Sequence, residues 1–224
     1  MSAYHPDDMT LMNYAAGSCS IPESLAVAMH LCFCHDCRQH VKNLNHLGGA
    51  LLETIKPAST DDDDAFETLM SSLEPHDHSA SIKVKMEPTP SDKVIQHFTN
   101  PLLRYLPTSL ADLPWQRQTK EISKFDLTSL VNVKGFQVAL QKISAGAKVP
   151  KHTHNGFEYT VILSGGFSDE LGVYHEGDFI ARDASHKHSP TALQNEDCIC
   201  LTVLNAPLKF TGWYRVLNPF MAWN

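Results

Sequence analysis

This 224-residue chain contains no apolar run approaching the roughly 18 residues that a bilayer-spanning helix needs, so no membrane attachment is expected. It also lacks the apolar core of a secretory signal, because His5, Pro6, Asp7, Asp8 and Asn13 fall where that core would lie. Positive charge is scarce: 18 Lys+Arg stand against 25 Asp+Glu, a net −7. A nucleic-acid binder normally presents a basic face, and no helix-turn-helix with a cationic second helix is visible. Direct nucleic-acid binding is therefore not expected. A disulfide framework is missing too. The six cysteines, at 19, 32, 34, 37, 198 and 200, cluster beside histidines, which suits reduced thiols. The expectation from these absences is a soluble, cytoplasmic protein of one large or two small domains.

What is present begins with His30, Cys34 and Cys37, spaced H-x3-C-x2-C. Imidazole and thiolate are the ligands zinc prefers, and a structural zinc site takes four of them. On one continuous helix, offsets of four and seven from His30 fall at roughly 40° and −20°, so all three would share a stripe. A fourth ligand must come from elsewhere, and the arm ending at His5 offers one. The plainer reading is a helix that carries a surface His and two small apolar Cys.

The first part of the chain reads as helical. Pro6-Asp7-Asp8 opens a segment that closes at Gly17, and Ser20-Ile21-Pro22-Glu23 is a capping-box start for a second helix. A third helix is predicted from about Asp36 to Ile55, with Gly48-Gly49 weakening it by about 1 kcal/mol each relative to Ala. The acidic run Asp61–Asp64 precedes Ala65, Phe66, Leu69, Met70 and Leu73, a short amphipathic helix with negative charge at its favourable end. From Glu74 to about Pro101 the pattern dissolves into a linker. Residues 57–92 hold nine acids and two bases, a net −7 equal to that of the whole chain, so the remainder is balanced. Such a run is usually a solvated face, and it would also complement a basic protein partner.

Beyond Leu102 come short strands with glycine turns: 136–143, 157–163, 179–181 and 198–204. This spacing indicates a barrel or sandwich rather than βαβ units. Within it lies Gly146-x5-His152-x-His154-x3-Glu158-x6-Gly165. Residues two apart on a strand share a face, so His152, His154 and Glu158 can point into one interior. Two imidazoles and a carboxylate form a metal set. A later segment, Gly177 to His188, supplies another histidine, with His186 expected to be a loop neighbour. Cys198-x-Cys200 places two thiols on one strand face. Plain packing is the default there, and an oxidisable pair is the functional alternative.

These two segments resemble the paired motifs of the cupin superfamily, double-stranded β-helix barrels that hold a metal. The resemblance implies His152, His154, Glu158 and His188 as ligands. The second motif departs from the family pattern, with Asp183, Ser185 and Ala192 where Pro, Gly and Asn are usual. Those changes bear on loop geometry, because His188 is kept. A His-x3-Cys-x2-Cys helical segment, preceded by a histidine and followed by a cupin, is similar to the ChrR-type zinc-binding anti-sigma factors along nearly the whole chain.

That resemblance implies an α + β multidomain protein. Residues 1–75 would form a zinc-braced four-helix anti-sigma domain, 76–101 a linker, and 102–224 a cupin-like barrel. It implies two Zn2+ per chain, one structural at His5, His30, Cys34 and Cys37 and one in the barrel, where the metal's identity is less defined. The partner implied is an extracytoplasmic-function sigma factor, held away from core RNA polymerase and released under oxidative stress, by singlet oxygen or organic peroxide. A homodimer through the barrel is compatible with this reading. The rival expectation is a metal-dependent cupin enzyme, a dioxygenase or isomerase, with a helical N-terminal extension.

Overall fold

Capping chemistry sets the order of the first helices. In a computed structural model that describes residues 2–56, 64–72, 100–110 and 112–211, α1 (Asp8–Ala15) starts where the Asp7 carboxylate accepts the Thr10 amide. In α2 (Ile21–Phe33) both bonds of the Ser20–Glu23 capping box form, with Pro22 in the first turn. A third helix, α3 (His35–Glu53), runs straight through Gly48-Gly49, and α4 (Ala65–Ser72) is fully exposed. The expected linker lies outside the described residues except for Asn100 and Pro101. There the Asn100 side chain caps a 3-10 turn, Pro101–Arg104, whose Leu102 is completely buried.

The remainder is antiparallel β structure. The strands are β1 (Gln116–Arg117), β2 (Ile122–Asp126), β3 (Gln137–Ile143), β4 (His152–His154), β5 (Glu158–Ser164) and β6 (Gly166–Asp169). They continue as β7 (Gly172–His175), β8 (Phe179–Arg182), β9 (Lys187–His188), β10 (Thr191–Ala192), β11 (Cys198–Leu204) and β12 (Leu208–Phe210), with a one-turn helix α5 (Thr128–Val131) after β2. A six-stranded sheet in the order β1-β2-β3-β11-β5-β8 faces two three-stranded sheets, β10-β6-β7 and β12-β4-β9. Side chains from both walls meet inside: Ile143, Ile162, Ile180 and Cys198 pack with Phe167, Tyr174 and Ala192.

The central strands are covered on their outer face as well. Val138, Leu140, Val161, Leu163, Leu201 and Val203 share one core with Leu25, Ala26, Val27 and Met29 of α2. This is why β11 reads Cys-Ile-Cys-Leu-Thr-Val-Leu, apolar almost without alternation: a strand buried on both faces has no solvent side. The helices and the barrel are therefore not separate beads. They share a hydrophobic core, in which α2 lies on the sheet.

Gly177 sits at this junction with φ +89, and a Cβ there would fall 2.7 Å from Phe33 Cβ. Both the left-handed backbone and the close approach require glycine. Gly177→Ala is expected to destabilise the protein by about 2–4 kcal/mol, read from the denaturant midpoint.

Candidate metal centres

The first cluster assembles at an elbow rather than on one helix face. Cys34 adopts φ −97, ψ 111, which ends α2 and makes it the N-cap of α3, its Sγ accepting the Cys37 amide. The single-stripe expectation is corrected accordingly. His30 lies in the last turn of α2, Cys37 in the first turn of α3, and the extended residue between them swings its thiol inward. His5 arrives from the N-terminal arm, its Nδ1 lying 3.4 Å from the sulfurs of both Cys34 and Cys37. His30 Nε2 is 3.3 Å from Cys37 Sγ. All four ligand atoms lie within 4.8 Å of one another. Bond lengths of ~2.0–2.3 Å around tetrahedral zinc imply ligand separations of roughly 3.5 Å, which these contacts match.

Hydrogen bonding prepares the ligand atoms. The Gly177 carbonyl, 2.7 Å from His30 Nδ1, can only accept, so Nδ1 carries the proton and Nε2 turns a lone pair to the cysteines. Burial lowers His30 to about 4, which keeps the ring neutral. Burial, reinforced by Cys34, pushes the Cys37 thiol up to about 12, so without a cation it stays protonated.

The second cluster lies inside the barrel. β4 supplies His152 and His154, β5 begins with Glu158, and β9 ends with His188, all buried. His154 Nε2 sits 3.2 Å from both His188 Nε2 and a Glu158 oxygen, while His188 Nε2 is 3.8 Å from the same carboxylate. His152 Nδ1 donates to the Pro150 carbonyl, and His188 Nδ1 to Asp169 at 3.1 Å, so both Nε2 atoms present lone pairs. His154 Nδ1 is buried with no hydrogen-bond partner among the described residues. A proton on His154 Nε2 would satisfy one neighbour at a time. A cation would satisfy them together, and the donor set fits one.

Burial lowers His154 to about 3, with His152 and His188 adding to the effect. It lowers His188 to about 4, against the opposing bond from Asp169, and lowers His152 as well. It raises Glu158 to about 7. The cavity beside these ligands holds about 40 Å3 and is lined by Gln141, Cys200 and Thr202 among others. That is room for a water or an ion, far below the ~300 Å3 or more of metabolite pockets.

Cys198 and Cys200 are buried, and the Cys200 thiol is pushed well up by its bond from Cys198 and by burial. Burial favours packing as the role of the pair, with Cys200 also lining the barrel cavity. His186 stays outside the cluster, paired with Asp183. Asp169 went unnoticed in the sequence: it lies 19 residues from His188 and belongs to no metal motif.

The two sites differ in the protons a cation must displace. Cys37 has a proton to lose across the whole neutral range, whereas the barrel imidazoles have none and Glu158 has one only near or below about 7. Raising pH from 7.5 to 8.5 is therefore expected to strengthen Zn2+ at the first site by about tenfold per proton and to leave the barrel site nearly unchanged. Chelator competition at each pH, with one site removed by mutation, measures this.

The ChrR cupin-like domain family matches residues 106–207. The anti-sigma-E factor ChrR of Cereibacter sphaeroides is 31% identical over 219 residues, 97% of each chain. The crystal structure of Rhodobacter sphaeroides SigE in complex with the anti-sigma ChrR superposes with a TM-score of 0.70 at 29% identity, covering 90% of this chain and 98% of that one. With the curated relative aligned from end to end, this chain belongs to the ChrR family of anti-sigma factors.

Proposed function

We propose that the chain sequesters an extracytoplasmic-function sigma factor from core RNA polymerase and releases it under oxidative stress. The binding unit is the helical part, residues 1–75, with 76–101 as linker and 102–224 as the cupin-like barrel. One observation carries the reading. The apolar stripe of α3 is buried at Cys37 and Val41, packs at Leu44, and then continues as Leu47, Leu51, Leu52 and, just past the helix, Ile55, with none of the described residues over it. Leu52 is 68% exposed, and added Cβ atoms at Gly48 and Gly49 would meet open space. An apolar face that outruns its own core is a docking surface for a groove on a partner. On α4, Phe66, Leu69 and Met70 are exposed too, and on α1 Met9 and Met12 are exposed while Leu11 is buried. The α1 face thus divides between covering its neighbours and offering contact.

His5, His30, Cys34 and Cys37 would hold one Zn2+ and His152, His154, Glu158 and His188 a second. Zinc at the first cluster supplies a closed four-ligand crosslink with no position for substrate. The chain's own residues do the rest. Gly177 orients His30, Cys34 sets the angle between α2 and α3, and the arm delivers His5. The barrel cluster, enclosed and linked to the helical part through a common core, is the site proposed to sense singlet oxygen or organic peroxide. A sigma partner places this activity in the cytoplasm, and no described helix is long and apolar enough to cross a membrane. For the enzymatic alternative, the cavity beside the barrel ligands is too small for a substrate among the described residues, and the family is regulatory.

Transcription by the cognate sigma factor and core polymerase tests the assignment. The full chain is expected to inhibit it, and a chain lacking residues 1–75 is not. Inhibition that survives the truncation would contradict the proposal.

A further inference from the structure

The N-terminal arm that carries His5 to the α2–α3 elbow is also tied to the barrel. The Asp178 carboxylate accepts the amides of Ala3 and Tyr4 at 2.7 and 3.2 Å, and the Phe179 amide donates to the Tyr4 carbonyl at 3.0 Å. The Tyr4 ring packs on Tyr174 with centroids 4.6 Å apart. It lies so close above Gly172 that a Cβ there would sit 2.5 Å from its hydroxyl. Tyr174 is buried beneath it, and its hydroxyl donates to Asp169 Oδ1 at 3.1 Å. The other Asp169 oxygen accepts from His188 Nδ1. Arg182 closes this set by donating to the Tyr174 hydroxyl and to Asp169.

Thus four side chains in contact, His188, Asp169, Tyr174 and Tyr4, run from the barrel cluster to the residue beside His5. The loop from β7 to β8, which also holds Asp178, carries Gly177, whose carbonyl orients His30. We propose that Asp169 and Tyr174 are positioning residues that couple the two clusters, holding His188 at one end and the Tyr4–His5 arm at the other. The proposal rests on the reading that both clusters hold a metal. With the barrel cluster filled, His188 is fixed at Nε2 and keeps its Nδ1 on Asp169. That leaves Asp169 placed to receive the Tyr174 hydroxyl, and the ring placed to seat Tyr4. When the barrel cluster empties, His188 can turn away, Asp169 keeps the Leu171 and Gly172 amides and Arg182 but loses its link to the barrel ligands, and the Tyr174–Tyr4 seat loosens around His5. Coupling of this kind requires contiguous groups with two arrangements, and these groups are contiguous, with His188 and Tyr174 buried and Tyr4 at the surface end.

A double-mutant cycle on the full-length protein tests it, with the rate at which the N-terminal zinc is released to a chromogenic chelator as readout. His152→Ala empties the barrel without touching Asp169. It is expected to leave one metal equivalent and to speed that release by about tenfold, within the usual range for coupled sites. Tyr174→Phe keeps the ring and removes only the hydroxyl. In that background both metals are retained, and His152→Ala is expected to change the release rate less than about twofold. Asp169→Asn and, from the exposed side, Tyr4→Ala should uncouple in the same way, so the test survives a folding defect in any one variant. An undiminished tenfold effect of His152→Ala in all three backgrounds would overturn the coupling. Fewer than two metals in the wild type would instead remove the reading on which it rests.

Discussion

Cys37→Ala is expected to halve the metal content, from two equivalents to one, and to weaken sigma-factor binding by more than ~100-fold. The residues that make the first cluster come from three places: the arm, the end of α2 and the start of α3. Of these, α2 is secured independently by its packing on the sheet. By contrast, α1 has eight residues, and isolated helices shorter than ~12 residues are marginal in water. Beyond Leu44 the apolar residues of α3 have no cover among the described residues. The Arg38 side chain ties α3 to the Leu31 and Cys32 carbonyls, and on the proposed reading the zinc crosslink would fix the rest of the angle at which α3 leaves Cys34. Structural zinc is worth about 10–16 kcal/mol in small domains, more than the net stability of many folds. Losing one of two thiolates removes most of that, and the remaining ligands leave polar atoms unmatched. The helices of the arm side should fray while the barrel persists. Metal analysis, far-UV circular dichroism and titration calorimetry with the sigma factor read the three parts separately. Retention of two metals and of binding would show that the elbow stands without its ligands.

The second large effect concerns the exposed stripe. Replacing Leu51 and Leu52 together by Glu should leave folding within about 0.5 kcal/mol per site, because these side chains are 59% and 68% exposed. Binding of the sigma factor should fall by at least ~100-fold. Each leucine buried at an interface contributes about 1.5–3 kcal/mol, and a carboxylate driven into the same contact adds a desolvation cost. The design separates partner contact from zinc bracing, because neither position is near a ligand. A doubly substituted chain that binds normally would move the partner surface elsewhere, to α1 or α4. Surface substitutions with no partner role would leave both stability and binding intact.

Much of this architecture was legible in the residues, and the illegible parts share a cause. Ser20, Pro22 and Glu23 marked the start of α2 because capping is local chemistry, decided within four residues. The triplets His30-Cys34-Cys37 and His152-His154-Glu158 stood out by spacing, His5 and His188 were implied as ligands by the family resemblance, and the structure brings each set of four together. The elbow at Cys34 was not, since H-x3-C-x2-C fits one helix as well as two. Nor did the composition of α2 reveal what it faces. Its buried residues include Leu25, Ala26, Val27, Met29 and His30, an arc too wide for a surface helix, yet only the fold shows that the cover is β5 and β11. The same holds for Asp169, Tyr174 and Asp178, which act across long sequence separations and carry no spacing signature. Local chemistry can be read in one dimension, whereas partners chosen by topology cannot.

The central claim is that a zinc-braced helical unit captures a sigma factor. Titrating the cognate sigma factor into the purified full-length chain, before and after a chelator removes the first metal, tests it most directly. Tight one-to-one binding that collapses by more than ~100-fold on removal, and returns when Zn2+ is restored, is the expected result. Binding that is absent from the metal-loaded chain, or that is unchanged after the metal is stripped, would contradict the account.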